Sequence, residues 1–358
     1  MSTPAPRRLA GRLGLLVGGL LAAVLLVEGA LRLTGYGSPV TGIDVHLRWE
    51  PTSPYQVREG DPDLVFRPHY DGWQVYRSVV TGKVVKFVDV RTSSAGVRGP
   101  EVDPTHARLR VLGVGDSITF GQGVAEDETF LAEFARRAPQ PVEVLNAGVP
   151  SWNLAAEVAW VAEFGWKLEP DLVVVAAYVN DVAASLRLPP EGVDRPILRL
   201  APAWAAREAG LRQWSHLFNL YCRVRERERL AAEIARAEPS QRSPRMTYLE
   251  ELRAGLDRPA IHQHFRTLKA TCDRHGFPCV VATLPVLVGG GDDAGTDILD
   301  TLAELAGNAG LAVVRVDDAL AEVSSYERYV LPADQHPSAV SHAAIGRALA
   351  ERLTLPAR

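Results

Sequence analysis

Between residues 108 and 353 the chain repeats one pattern. A short run of consecutive apolar residues is followed by a longer stretch in which apolar residues return every third or fourth position. The runs are LRVLGV (109–114), VEVLN (142–146), DLVVVAAY (171–178), CVVATLPV (279–286) and LAVVRV (311–316). The helical-period stretches are 126–137, 154–166, 261–275, 298–308 and 339–353. Runs that are apolar at nearly every position predict strands covered on both faces. Their alternation with amphipathic helices predicts an α/β protein of three layers, α/β/α, around a central parallel sheet of about five strands. The series is broken at about 183–259 by a stretch rich in Ala, Arg, Glu and Leu. That stretch contains one long predicted helix, RQWSHLFNLYCRVRERERLAAEIARAE (212–238), whose second half is highly charged.

Upstream the pattern changes twice. Residues 34–107 are polar, aromatic and proline-bearing. Within them WQVYRSVV and KVVKFVDVRT alternate with period two around Thr81-Gly82, which predicts a β-hairpin in a small β-rich region. Before that, Leu13 to Val27 is apolar or glycine throughout. A membrane-spanning helix of about 20 residues is reached over 13–33 if Glu28 and Arg32 lie near its far end, within reach of headgroups. Arg7, Arg8 and Arg12 precede the apolar run, so residues 1–12 are expected to stay in the cytosol and everything after residue 35 to lie outside. A cleaved signal peptide is the alternative, but only Gly35-Tyr36-Gly37 offers a small-x-small cleavage site. The expected location is thus the inner membrane, single-pass, with residues 34–358 periplasmic. The expected organisation is a tail (1–12), an anchor (13–33), a juxtamembrane β-rich region (34–107) and an α/β domain (108–354) carrying the insertion.

Composition narrows the functional classes. Of 358 residues, 47% are hydrophobic, enough for a sizeable core, and the net charge of −4 comes from mixed charges, which argues against a nucleic-acid partner. The three cysteines, Cys222, Cys272 and Cys279, show no metal-ligand spacing, so neither a metal nor another cofactor is expected. Cys272 and Cys279, with six residues between them, flank a predicted helix-to-strand turn. They read either as a disulfide in an oxidising compartment or as two free thiols.

In a parallel sheet, functional groups gather at the carboxyl ends of the strands. Gly115-Asp116-Ser117 follows the first run, Asn146-Ala147-Gly148 ends the second, and Asn180-Asp181 follows the third. PADQHPS, with Asp334 and His336, precedes the last helix. Each is an ordinary turn or cap sequence on its own. Their order would bring a serine, a glycine, an asparagine and an Asp/His pair to one pocket.

VLGVGDSITFGQGV, VLNAGVPSWN, Asn180-Asp181 and the HPS after Gln335 together resemble the SGNH hydrolases, also called GDSL-type esterases and lipases, in their membrane-anchored bacterial form. The resemblance spans roughly residues 108–353 apart from the insertion, and VRTSSAGVRGPE (90–101) is similar to the lead-in of anchored members. Three positions depart. Tyr178 stands where a glycine usually precedes the asparagine, Asp334 lies two rather than three residues before His336, and Ser341 replaces the glycine before His342. The resemblance implies a flavodoxin-like sheet and a serine esterase acting on carboxylic (acyl) esters through an acyl-enzyme. Ser117 would be the nucleophile, His336 its base and Asp334 the orienting acid. The Ser117 and Gly148 N–H groups and the Asn180 amide would form the oxyanion hole. Asp116, Asp181 and His342 are expected to be structural. The substrate class would be an acyl ester, with acylated polysaccharide or lipid as candidates. Two alternatives stand beside hydrolysis: an O-acyltransferase of envelope polysaccharide using the same residues, and an inactive glycan-binding or scaffolding protein.

Overall fold

A computed structural model of the chain describes residues 6–34, 45–57, 64–78, 82–183, 215–218, 220–221, 224–225, 244–287, 295–324, 327–331 and 334–357. In order, α1 (Pro6–Thr34) is followed by β1 (Val45–Glu50), β2 (Tyr55–Val57), β3 (Leu64–Phe66), β4 (Asp71–Ser78) and β5 (Val84–Arg91). Next come β6 (Leu109–Gly115), α2 (Ser117–Phe120), α3 (Phe130–Arg137), β7 (Val142–Gly148), α4 (Leu154–Glu163) and β8 (Leu172–Ala177). The chain closes with α5 (Pro244–Ala254), α6 (Arg258–His275), β9 (Cys279–Thr283), α7 (Thr296–Asn308), β10 (Ala312–Arg315), β11 (Tyr329–Leu331), β12 (Asp334–Pro337) and α8 (Ala339–Arg352).

The five apolar runs form one parallel sheet in the order β10-β9-β8-β6-β7. Renumbered along the chain, that order is 2-1-3-4-5, the flavodoxin-like doubly wound arrangement. β6 and β8 are buried along their whole length, as expected of central strands covered on both faces. Helix α3 packs with α8, and α4 packs with α6, which in turn packs with α7. The direction of winding reverses between β6 and β8. The carboxyl ends of strands at such a reversal are where sheets of this kind bind ligands.

Helix and strand limits follow local chemistry. The predicted helix at 126–137 begins as a 3-10 turn over Glu126–Glu128; Thr129, extended at φ −68° and ψ 155°, then caps α3 by accepting the Ala132 N–H at 3.2 Å. The predicted helix at 154–166 stops at Glu163 and resumes as a 3-10 turn over Gly165–Leu168. The run at 279–286 leaves the sheet after Thr283, just before Pro285, which has no N–H to give the ladder. Cys272 on α6 and Cys279 on β9 form a disulfide with Cα atoms 6.1 Å apart. Most of the predicted insertion, including most of the long predicted helix at 212–238, lies outside the described residues.

The predicted hairpin is the β4–β5 pair, which joins β1 in a three-stranded antiparallel sheet. Phe66 stacks on Phe120 with ring centroids 5.0 Å apart, and Trp49 meets the same ring edge-on at 5.8 Å. The β-rich region and the parallel sheet thus share one hydrophobic core. Helix α1 carries a 21-residue stretch, Gly14–Thr34, of mean hydropathy 2.2 with none of it buried, long and apolar enough to cross a membrane. Near its end the Glu28 carboxylate accepts from Arg32 Nε at 2.7 Å, from the Ser215 hydroxyl and from the N–H groups of His216 and Leu217.

Candidate active site

Strand β6 ends at Gly115, and the chain turns at once into the single helical turn of α2. Asp116 is its cap, with Oδ1 accepting the Ile118 N–H at 2.8 Å. Ser117 is therefore the first helical residue, lifted off the end of the central strand with its side chain half-buried. Its hydroxyl lies 2.8 Å from His336 Nε2. The other ring nitrogen, Nδ1, donates to Asp334 Oδ1, which also accepts the His336 backbone N–H at 3.1 Å. Ser117, His336 and Asp334 are thus brought together, with the two partners 219 and 217 residues from the serine.

The unusual Asp-x-His spacing works because β12 is a strand. Alternate side chains leave a strand on the same face, so Asp334 and His336 project side by side. Asp334 Oδ2 accepts the Tyr76 hydroxyl at 2.8 Å and lies 3.4 Å from Gln122 Nε2. Gln122 Nε2 is also 3.1 Å from His336 Nδ1. That nitrogen cannot both give its proton to the carboxylate and receive one from an amide. The closer, charged contact decides, leaving the Gln122 amide to donate to Asp334.

Burial opposes the charged form of His336, yet the charge and hydrogen bond of Asp334 and the charge of Asp116 outweigh it and leave the imidazole above its ordinary 6.5. Asp334 is buried too, but His336 and the Tyr76 hydroxyl hold it down at about 2. The site therefore holds an ionised Asp334 at neutral pH beside an imidazole of raised basicity.

The remaining candidates lie on the elements next to α2 or farther along the chain. Asn180 lies in a 3-10 turn (Val179–Val182) after β8 and donates one amide hydrogen to Asp116 Oδ2 at 2.8 Å, which leaves its second N–H. Gly148 is the last residue of β7, and its N–H donates to Asn146 Oδ1 at 3.0 Å. A Cβ at Gly148 would lie 2.1 Å from the Phe120 nitrogen, so glycine is required there for the close approach of α2 to β7. Three residues on, Ser151 holds φ at +74°, a backbone region that non-glycine residues rarely adopt. Asp181 Oδ2 accepts the Tyr178 N–H at 2.7 Å, and the Tyr178 hydroxyl accepts the Leu287 N–H at 3.0 Å. His342 stacks on Phe130 and accepts its N–H at 3.1 Å; burial pulls the ring down to about 3, so it stays neutral. Burial, and then the charges of neighbouring acids, raise the carboxyl groups of Glu157 and Asp181 well above their ordinary values.

Sequence reasoning did not reach Tyr76, Gln122 or Arg98. The buried Arg98 guanidinium donates to the carbonyls of Phe120 and Gly121 from Nη1 at 2.6 and 2.8 Å and of Val124 from Nη2 at 2.7 Å, fixing the loop after α2. Both Arg98 and Gln122 fall inside segments that carry the family resemblance; Tyr76 carries no comparable signal. Among the described residues, no group of three or more His, Cys, Asp or Glu side chains is placed to hold a metal ion.

No family model and no curated protein matches this chain. Solved structures similar to it include TesA, 14% identical over 67% of this chain and 95% of that one, with a TM-score of 0.40. A member of the lipolytic protein G-D-S-L family from Veillonella parvula is 10% identical over 68% and 96%, with a TM-score of 0.39. A catalytic mutant of the acetylxylan esterase Axe2 from Geobacillus stearothermophilus is 15% identical over 68% and 93%, with a TM-score of 0.38.

Proposed function

We propose that this chain is a membrane-anchored serine esterase of the SGNH type whose catalytic part faces the extracytoplasmic side. The observation that carries the reading is the hydrogen-bonded line from the Ser117 hydroxyl to His336 Nε2, and from His336 Nδ1 to Asp334. A hydroxyl is too weak a nucleophile at neutral pH without an adjacent base. Here neutral His336 accepts the Ser117 proton as Oγ attacks the ester carbonyl, and Asp334 fixes the ring tautomer and stabilises the imidazolium. The imidazolium then returns that proton to the departing alcohol, leaving an acyl-Ser117 ester. Water, deprotonated by His336, attacks the acyl carbon; the carboxylic acid departs and the proton goes back to Ser117.

The oxyanion formed in each half would be met by the Ser117 N–H and the free amide hydrogen of Asn180. The Gly148 N–H would join them if it turned from Asn146 Oδ1. The mixture of one half-exposed serine and a buried support is what such a site needs, since donors held in a dry pocket stabilise charge more than water does. The Cys272–Cys279 disulfide supports an oxidising location, in keeping with the arginines ahead of the apolar helix.

Hydrolysis of short p-nitrophenyl esters, with mass spectrometry of Ser117 after treatment with a fluorophosphonate probe, tests this. Wild-type protein is expected to release acid and to be labelled at Ser117. Ser117→Ala should abolish both, and His336→Ala should abolish labelling. Donor ester consumed much faster on adding an oligosaccharide acceptor would make the enzyme a transferase. Absence of both turnover and label would leave only a binding protein.

A further inference from the structure

The carboxylate of the site is held from a part of the chain that the sequence places outside the α/β domain. Asp334 Oδ1 is occupied twice by His336, through Nδ1–H and the backbone N–H. The other oxygen, Oδ2, is buried and needs a donor of its own. What fixes the second oxygen is the Tyr76 hydroxyl at 2.8 Å, reaching from β4 across 258 residues of sequence, with the Gln122 amide as a longer second donor. We propose that Tyr76 is a positioning residue for the Ser117–His336–Asp334 line, so that the β1–β4–β5 sheet is part of the catalytic unit and not a spacer between it and the membrane. This rests on the esterase reading above.

Three further contacts show that the approach of Tyr76 is built in. The ring is 1% exposed and packs with Val45 and Leu47 of β1 against Val330 and Leu331 of β11, so one face of the β-rich region seats the hairpin that bears Asp334 and His336. Gln74, two residues earlier and on the same face of β4, accepts the Gly123 N–H through Oε1 at 2.9 Å. Gly123 itself sits at φ +81°, and a Cβ there would come within 2.7 Å of the Tyr76 oxygen. Only glycine leaves the hydroxyl room to reach the carboxylate. Burial and the negative charge of Asp334 keep the phenol well above its ordinary 10, so it donates at every working pH. The other charged or titratable groups acting on this line are Asp116 at the end of β6, Arg98 beside Tyr76 and His342 on α8.

The test is Tyr76→Phe in the full chain, alone and combined with Asp334→Ala. Phenylalanine keeps the packing and removes only the donor. Loss of one hydrogen bond to a charge should lower kcat about tenfold, with KM unchanged within about twofold. The acid limb of the kcat/KM profile should also move. In the Asp334→Ala background the same change should have no further effect, because Tyr76 acts through that carboxylate. Unchanged kcat and limb, or a tenfold loss that persists without Asp334, overturns the proposal while leaving the esterase reading intact if Ser117→Ala is inactive. Should no ester be turned over, the His336 Nδ1 proton observed by NMR decides instead. A shift or broadening in Tyr76→Phe at unchanged thermal midpoint supports the proposal, and an unaltered resonance overturns it.

Discussion

Along an extended strand every second side chain points the same way, and that is how Asp334 orients His336 with only Gln335 between them. The consequence is measurable as a pH dependence. His336 must be neutral to take the Ser117 proton, and its imidazole lies above 6.5 because Asp334 and Asp116 outweigh burial. Activity is therefore expected to fall as pH drops through a value above 6.5. In Asp334→Asn the chief raising charge is gone and burial remains, so the limb of kcat/KM should move to lower pH while the plateau falls. A wild-type limb at or below 6.5 would contradict the assigned geometry. At this scale the sequence was legible where chemistry is scarce. Ser117 and Asn180 were visible as candidates because each follows a strand of the parallel sheet, and His336 because few residue types can act as a base near neutral pH. Asp334 was named as the orienting acid, but PADQHPS gives no sign that residues 334–337 extend as a strand paired with β11, which is what sets its side chain beside His336.

The elements follow the hydrophobic pattern more closely than the site does. All five apolar runs became the five strands of the parallel sheet, because continuous burial leaves little choice between faces. The misread limits are those set by single side chains. Thr129 restarts a helix that periodicity alone would carry through from residue 126, and Pro285 ends β9 early. The pairing of Cys272 with Cys279 depends on how α6 turns into β9, which spacing does not determine. That pairing stiffens the one connection leading into β9. Closing so short a loop is worth about 2–3 kcal/mol on chain entropy. Cys272→Ala/Cys279→Ala is thus expected to unfold at lower denaturant by about that amount, with kcat unchanged, since neither residue touches the site. Equal stability of the two proteins in urea, measured without reductant, would deny the disulfide a role.

On the scale of the whole molecule, the apolar helix and the β-rich region differ in how they join the parallel sheet. Helix α1 exposes its apolar stretch completely, and its described link to the remainder is the Glu28 carboxylate on Ser215, His216 and Leu217. Removing residues 1–34 is expected to shift the protein from the membrane to the soluble fraction. Its thermal midpoint and esterase rate should stay close to those of the full chain. A protein that remained with the membrane would show that another segment holds it there. The β-rich region behaves in the opposite way. Its change of texture at residue 107 was legible, but its aromatic contact with Phe120 and its hydroxyl on Asp334 were not, because no periodicity links residues 258 positions apart.

That long reach also sets a schedule for synthesis. Domains tend to organise from the first-made end onward, yet here Tyr76 and Ser117 wait for residues 334–336 before the hydrogen-bonded line can close. A polypeptide cut between residues 181 and 333 would bear Ser117, Gly148 and Asn180 without Asp334 or His336, and is expected to be inert.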